Sequence, residues 1–384
     1  MNDYDVLIAG GGPGGGALAL ALRGSGLRIA VLETRPRETA AEDPRPLALS
    51  HGSRLILERL ELWRALDPVT PIGRIHVSQR GGFGRVLLDA AAVGLPALGY
   101  VVDYAQLAAR VTESLQGGWC DYLPGTAVNR VSLDGDAAVV ELEPARGRVI
   151  TGLLVVADGG MHADGNEAHA VRTVDYRQTA VTARVTSTVA HAHVAYERFT
   201  PEGPLALLPA GGDLALIWST TPERAQRLCA APDAEFLGEL QQAFGNRLGR
   251  FTAVTRRGMF PLALRVARDT GEPRTVRIGN AAQTLHPVAG QGLNLGLRDA
   301  WELAAELRRS ERERIGAPEL LARYAARRRL DRGGGIWFTH GLARMFSSDL
   351  APLRAARGLG LAALAALPPA QEFLVRRMSF GARG

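Results

Sequence analysis

Short apolar runs alternate with glycine-rich turns at the start of the chain. Val6-Leu7-Ile8-Ala9 has no polar member, the pattern of a strand covered on both faces of a parallel sheet. Glycines follow, then Ala17-Leu18-Ala19-Leu20-Ala21-Leu22, a strong helix former, then Ile29-Ala30-Val31-Leu32-Glu33 as a second strand. The order predicts a βαβ unit. From Thr179 to Ser219 the pattern changes. Val181, Ala183 and Val185, and later Leu214, Leu216 and Trp218, alternate with polar or small residues and predict an antiparallel sheet. Leu153 to Ala157 and Thr275 to Ile278 read as further short strands, each before a glycine-containing turn, so the nucleotide-type domain is expected to be built from separated pieces. The Arg-rich tail after about residue 306 predicts helices, broken at Gly333-Gly334-Gly335 and at the closing prolines.

With 384 residues, 46% of them hydrophobic, the chain can bury a large core and divide into two domains. Cys120 and Cys229 lie far apart with no metal-ligand spacing, so neither a disulfide scaffold nor a bound metal is expected, and a reducing cytoplasm fits. Met1-Asn2-Asp3-Tyr4-Asp5 runs directly into the first strand, unlike a signal peptide, and Leu359 to Leu367 is about half the roughly 20 residues that span a bilayer. The formal charge of +6 gathers in the tail, around Arg327, Arg328, Arg329 and Arg332. That suits either a solvated helix face or contact with an anionic membrane surface or a protein partner; nothing points to nucleic acid.

Gly10-Gly11-Gly12-Pro13-Gly14-Gly15 stands where strand hands over to helix, and Gly10, Gly12 and Gly15 satisfy the dinucleotide fingerprint. A diphosphate would lie at the helix start, where unpaired N–H groups and the helix dipole favour an anion. Glu33, ending the second strand, is placed to accept hydrogen bonds from an adenosine ribose. This motif alone does not separate FAD from NAD.

The stretch from Arg277 to Asp299 separates them. In Gly279-Asn280-Ala281-Ala282-Gln283-Thr284-Leu285-His286-Pro287-Val288-Ala289-Gly290-Gln291-Gly292-Leu293-Asn294 a turn leads into a helix expected to start near Leu293. Backbone amides of Gly292 and Leu293 would face the edge of a flavin ring where negative charge collects on reduction, and Asn280 would meet the ribityl chain. The segment resembles the second FAD motif of flavoprotein aromatic hydroxylases of the p-hydroxybenzoate hydroxylase class. It is most similar to their ubiquinone-biosynthetic branch, among members acting on 2-polyprenyl-6-methoxyphenols. Arg45 to Leu49, His76 to Gly81, Tyr196 to Thr200, Gly203 to Pro209 and Pro261 to Leu264 resemble the same branch.

The resemblance implies an α/β fold: an FAD-binding Rossmann-like domain (1–71, 99–175 and 269–306), an inserted antiparallel-sheet substrate domain (72–98 and 176–268) and a helical C-terminal region (307–384). It implies FAD as cofactor, NADPH or NADH as electron donor, and O₂ with a prenylated phenol as substrates. Carried residue by residue, it gives Gly10, Gly12, Pro13, Gly15, Glu33, Arg45, Gln106, the backbone at Val128, Asp158, Asn280, Pro287, Gly290, Gln291, Gly292, Leu293 and Asn294 to the cofactor. His286 and Pro287 are given to catalysis, with a purely structural role for His286 equally open. One departure stands out: after Ala157-Asp158-Gly159 the chain continues Gly160-Met161-His162, not with the branch's small residue, base and serine. A NAD-dependent dehydrogenase leaves the loop from Gly290 to Asn294 without a purpose. A noncatalytic lipid-binding member of a biosynthetic assembly would keep the fold without turnover, and a flavin halogenase would need a Trp-x-Trp-x-Ile segment, which this chain lacks.

Overall fold

The computed structural model describes residues 2–36, 45–143, 147–160, 171–267, 273–285, 290–346 and 351–382. His286 and Pro287 lie outside them.

Among the described residues a seven-stranded sheet runs in the order β8 (Asp121–Pro124), β2 (Ile29–Glu33), β1 (Tyr4–Ala9), β11 (Arg148–Val156), β10 (Ala137–Glu143), β9 (Ala127–Asp134), with β17 (Thr275–Arg277) also paired to β11. Its β8, β2, β1, β11 and β17 pairings are parallel, while β11, β10 and β9 form an antiparallel meander. The unbroken apolar runs of β1 and β2 are buried throughout, as two-faced coverage requires. One face carries α1 (Pro13–Leu22), α3 (Tyr104–Leu115) and α6 (Gln291–Arg308), which share a core with Val6, Ile8, Val31 and Leu153. α6 starts two residues earlier than its sequence suggests. Strands that begin at Asp121, Arg148 and Thr275 therefore join the first strand in one nucleotide-type sheet, the expected assembly from pieces.

A second sheet of eight strands runs β18 (Gln283–Thr284), β16 (Phe251–Ala267), β12 (Val171–Ser187), β15 (Asp213–Thr220), β14 (Gly203–Ala210), β13 (Val194–Thr200), β5 (Arg74–Gln79), β6 (Arg85–Asp89). It is antiparallel, as the alternation predicts, except that β13 and β5 pair in parallel. Trp218 and Phe236 anchor the core between this sheet and α4 (Pro222–Ala230) and α5 (Asp233–Phe244). A small third sheet, β3 (Pro46–Ser50), β7 (Gly99–Asp103) and β4 (Thr70–Ile72), has no clear signature in the sequence and joins the two layers. α2 (His51–Arg59) follows it, capped by the Ser50 hydroxyl, which accepts from the Ser53 amide at 3.2 Å.

The tail forms α7 (Pro318–Phe346), α8 (Ala351–Ala366) and α9 (Pro368–Phe380). The expected break at Gly333-Gly334-Gly335 does not occur, for α7 runs through all three. The reason is packing: a Cβ on Gly335 would come within 2.9 Å of Leu295 on α6, so glycine lets the two helices close together. Pro368 and Pro369 end the apolar α8 run as expected and then occupy the first turn of α9, where missing N–H groups cost nothing.

Candidate active site

Two helix starts and one sheet face converge on a single cavity of about 1730 Å³. That exceeds the roughly 300–1,000 Å³ of an ordinary small-molecule site and leaves room for a dinucleotide and a second molecule.

At the first start, glycines answer different demands. Gly10 has φ +116°, and a Cβ there would sit 2.4 Å from the Ala157 carbonyl oxygen; one on Gly15 would sit 2.0 Å from that of Gly10. Both are fixed by strand and helix packing. Gly12, at φ −68°, is the N-cap of α1, and its nearest neighbour would be the Tyr104 hydroxyl at 3.8 Å; Gly14 has nothing within 4 Å. Neither backbone nor protein packing demands glycine at these two positions. Gly12, Pro13 and Gly14 line the cavity, with first-turn N–H groups that lack helical acceptors. The space a side chain would fill is the space a diphosphate needs, so the residues present fit the cofactor's pyrophosphate.

Glu33 ends β2 almost fully buried at the cavity edge. The Gly11 amide donates to its Oε2 at 3.1 Å, and the Arg35 amide and Nε donate to Oε1 at 3.0 and 3.1 Å. Burial pushes the Glu33 carboxyl up, but the hydrogen bonds and charge of Arg35 outweigh it and hold the group below the usual carboxylate range. It remains an ionised acceptor. Val128, on β9, lines the same end of the cavity.

The second start is α6. Gly290 caps it at φ +58°, and a Cβ there would meet that of Ala48 on β3 at 2.9 Å. Gly292 and Leu293 line the cavity, and so do Arg45, Asp158 and Asn280. The Arg45 guanidinium stacks 5.4 Å from the Tyr104 ring centroid and 5.7 Å from that of Phe260. Asp158 Oδ1 accepts from the Gly160 amide at 2.9 Å, fixing the turn after β11.

Three residues expected at the cofactor do not line the cavity. Gln106 does not line the cavity: its amide oxygen accepts from the Asp67 amide at 3.0 Å and its nitrogen donates to the Asp67 carbonyl. Asn294 is a brace. Its Oδ1 accepts from the Ser50 amide at 2.8 Å and the Ser53 hydroxyl at 2.7 Å, while Nδ2 donates to the carbonyls of Ala48 at 2.9 Å and Gly290 at 2.6 Å. Gln291 is buried behind the cavity wall.

Asp299, for which the sequence suggests no role, organises the flavin-side turn. Fully buried, it accepts from the Gly279 amide at 3.1 Å and Gln283 Nε2 at 3.0 Å, and pairs with buried Arg328 of α7 at 2.7 Å. Its signal was weak because Arg328 is 29 residues away in a run of arginines.

Beyond the flavin-side turn the cavity wall becomes apolar: Ile75, Val77, Ala206, Leu208 and Ile217 from the large sheet, then Leu361, Leu364, Leu374 and Met378 from α8 and α9. An anion cradle, a ring-edge cradle and an apolar chamber in line define a flavoprotein monooxygenase of the p-hydroxybenzoate hydroxylase type. The chain belongs to the FAD binding domain family, whose profile matches residues 3–332. It is 34% identical to the ubiquinone hydroxylase UbiL of Rhodospirillum rubrum over 97% of this chain and 88% of that one. It is 33% identical to the 3-demethoxyubiquinol 3-hydroxylase of Escherichia coli over 94% of each. In fold it is similar to the p-nitrophenol 4-monooxygenase PnpA of Pseudomonas putida, with a TM-score of 0.79 at 18% identity over 99% of both chains.

Proposed function

We propose that this protein hydroxylates the ring of a 2-polyprenyl-6-methoxyphenol in ubiquinone biosynthesis, para to the phenol hydroxyl, with O₂ as oxidant and NADPH or NADH as electron donor. The observation that carries the reading is the continuity of the cavity: the cradle fit for FAD opens into a chamber walled by aliphatic side chains. Bound FAD would accept hydride and activate O₂, chemistry that closed-shell phenols do not undergo alone. The chain's own work is to hold and to exclude. Gly12 and Gly14 would admit the diphosphate, Glu33 the ribose, and the Gly292 and Leu293 amides the ring edge, while the large sheet and α8 and α9 keep water from the substrate ring. A phenol oxygen donates density to its para carbon, so orientation decides which carbon is attacked. The test is complementation of strains lacking each ubiquinone-ring hydroxylase, with mass spectrometry of the product. Rescue confined to the strain blocked para to the hydroxyl is expected; rescue only of a strain blocked at another carbon overturns the position while keeping the reaction.

A polyprenyl substrate resides in lipid, and we propose that α8 and α9 dock the protein peripherally on an anionic membrane. Leu359 on α8, Leu367 between the helices and Phe373 on α9 are 62%, 55% and 71% exposed, and both helices also wall the cavity. No single helix among the described residues is long and apolar enough to cross a membrane. Binding to anionic liposomes is expected to weaken with salt and with Leu367→Glu/Phe373→Glu. Equal binding by parent and variant contradicts the docking surface.

A further inference from the structure

One lateral row of side chains on the sheet wall of the apolar chamber holds a single ionisable group. Across the large sheet, Val86, Val77, Glu197, Ala206, Ile217 and Thr182 are register partners in one lateral row, and all six line the cavity. Glu197 is the only acid in that row. It sits half-buried on β13, its accessible surface turned to the cavity. Ala195, two residues back on the same face, packs in a cluster with Ala48, and Ala48 touches Gly290 at the flavin-side helix start. Glu197 is therefore two residues, about 7 Å, along β13 from a member of the apolar cluster that reaches the flavin-side helix start. On the other side, Val77 and Val86 pack with Leu361 and Leu364 of α8.

No described side chain hydrogen-bonds or ion-pairs with the Glu197 carboxylate, although a buried acid ordinarily has a partner. The titratable groups around it point elsewhere. On β13, Tyr196 packs edge-on against Phe244, and Arg198 donates to the Ala243 carbonyl at 3.2 Å on the far face. His76 of β5 lies with Tyr196 on that far face, near Arg247 and Arg85. β14 has no titratable residue. Arg45, Asp158, Arg265, Arg277 and Arg357 share the cavity, but none pairs with Glu197. Burial in this apolar wall pushes the carboxyl up to about 7, where it is both a base and an acid near neutral pH.

We propose that Glu197 receives the hydroxyl of the substrate's phenol ring, orienting the ring and accepting its proton as oxygen is transferred to the carbon. The proposal rests on the phenol-hydroxylase reading above. The step balances: the phenol O–H bond breaks and its proton goes to the Glu197 carboxylate while the ring C–O bond forms and the O–O bond of O₂ breaks, the second oxygen leaving as water with two electrons and a proton from NADPH or NADH and a further proton from solvent. The ring is left as a dienone. When the C–H proton leaves to water and aromaticity returns, the dienone oxygen takes the proton back from Glu197. The carboxylate is restored and is neither oxidised nor reduced.

The test uses FAD-loaded parent, Glu197→Gln and Glu197→Asp with 2-methoxy-6-prenylphenol as probe, scoring bound FAD, probe affinity and product formed from pH 6 to 10. For Glu197→Gln the expectation is full FAD retention and a loss of about a hundredfold in product rate at pH 7. The parent's rise near pH 7 disappears in that variant, and activity partly returns above pH 9, where a phenol of pKa about 10 ionises unaided. Should Glu197→Gln fail to hold FAD, Glu197→Asp decides, since a shorter carboxylate is expected to keep the pH limb at a lower rate. A Gln variant within threefold of the parent and with the same limb, or an Asp variant without the limb, overturns the assignment. If the parent binds the probe with a pH dependence that Glu197→Gln lacks yet forms no product, the hydroxylase reading falls and the Glu197 contact stands.

Discussion

Gly12 and Gly15 belong to one fingerprint and answer to different constraints, which makes them separable by mutation. Gly15→Ala drives a Cβ into the Gly10 carbonyl and is expected to unfold the αβ junction. At Gly12 a Cβ meets only the Tyr104 hydroxyl, at an ordinary contact distance of 3.8 Å, so the apoprotein of Gly12→Val is expected to keep its stability to within about 1 kcal/mol while losing FAD. Thermal unfolding with and without FAD checks both; equal FAD stabilisation of Gly12→Val and parent contradicts the diphosphate assignment. Glu197 gives a pH signature independent of turnover. Its folded pKa lies above the unfolded value of 4.5, so its contribution to stability is present below pH 4.5 and is lost as pH rises through about 7. Glu197→Gln, which removes the buried charge, is expected to be more stable than the parent at pH 8, with the advantage gone by pH 4.5. No gain in melting temperature at pH 8 would show that the carboxylate is well solvated. Residue chemistry was partly legible: Gly12, Glu33, Asn280 and Gly292, singled out by their motifs, line one cavity. Asn294 and Gln106 were not, because their hydrogen-bond partners, Ser50 and Asp67, lie 244 and 39 residues away. Glu197 was hidden for the same reason, since its chamber is a row drawn from six strands.

Helix packing decides what the tail glycines do. Gly333 has open space around its Cβ position and lies inside α7, so Gly333→Ala is expected to stabilise the protein by about 0.5–1 kcal/mol. Gly335→Leu overpacks the α6 contact at Leu295 and is expected to cost about 1–3 kcal/mol. Equal effects in denaturant melts contradict the close approach of α6 and α7. The Asp299–Arg328 pair ties the same helices to the flavin-side turn, with side chains 0% and 3% exposed. Asp299→Ala leaves Arg328 Nε and the Gly279 amide without their acceptor while Asp331 still pairs with Arg328 Nη1, so the loss, read in denaturant melts, is expected to stay below the roughly 3–5 kcal/mol of a fully unpaired buried charge. The first βαβ unit could be read from sequence because strand, turn and helix are contiguous and each run has one period. A break at three glycines is the local rule; the neighbouring helix, supplied by tertiary structure, overrides it.

At the scale of the molecule, the cavity joins parts that sequence shows only as separate motifs. The FAD cradle comes from the parallel sheet, the chamber from the antiparallel one, and the far wall from α8 and α9, so cofactor, ring and prenyl chain would lie along one path. The resemblance carried the α/β fold and FAD as the cofactor. The small joining sheet and the tail's place as a cavity wall depend on contacts between distant segments, which no local pattern carries. The central claim is that this path delivers an oxygen atom from O₂ to a phenol ring. Its most direct test is a single turnover of the purified FAD-loaded protein with 2-methoxy-6-prenylphenol and NADPH or NADH under labelled O₂, followed by mass spectrometry of the quinol. One labelled atom in the new hydroxyl, para to the old one, is the expected result; a product whose new oxygen comes from water contradicts the account.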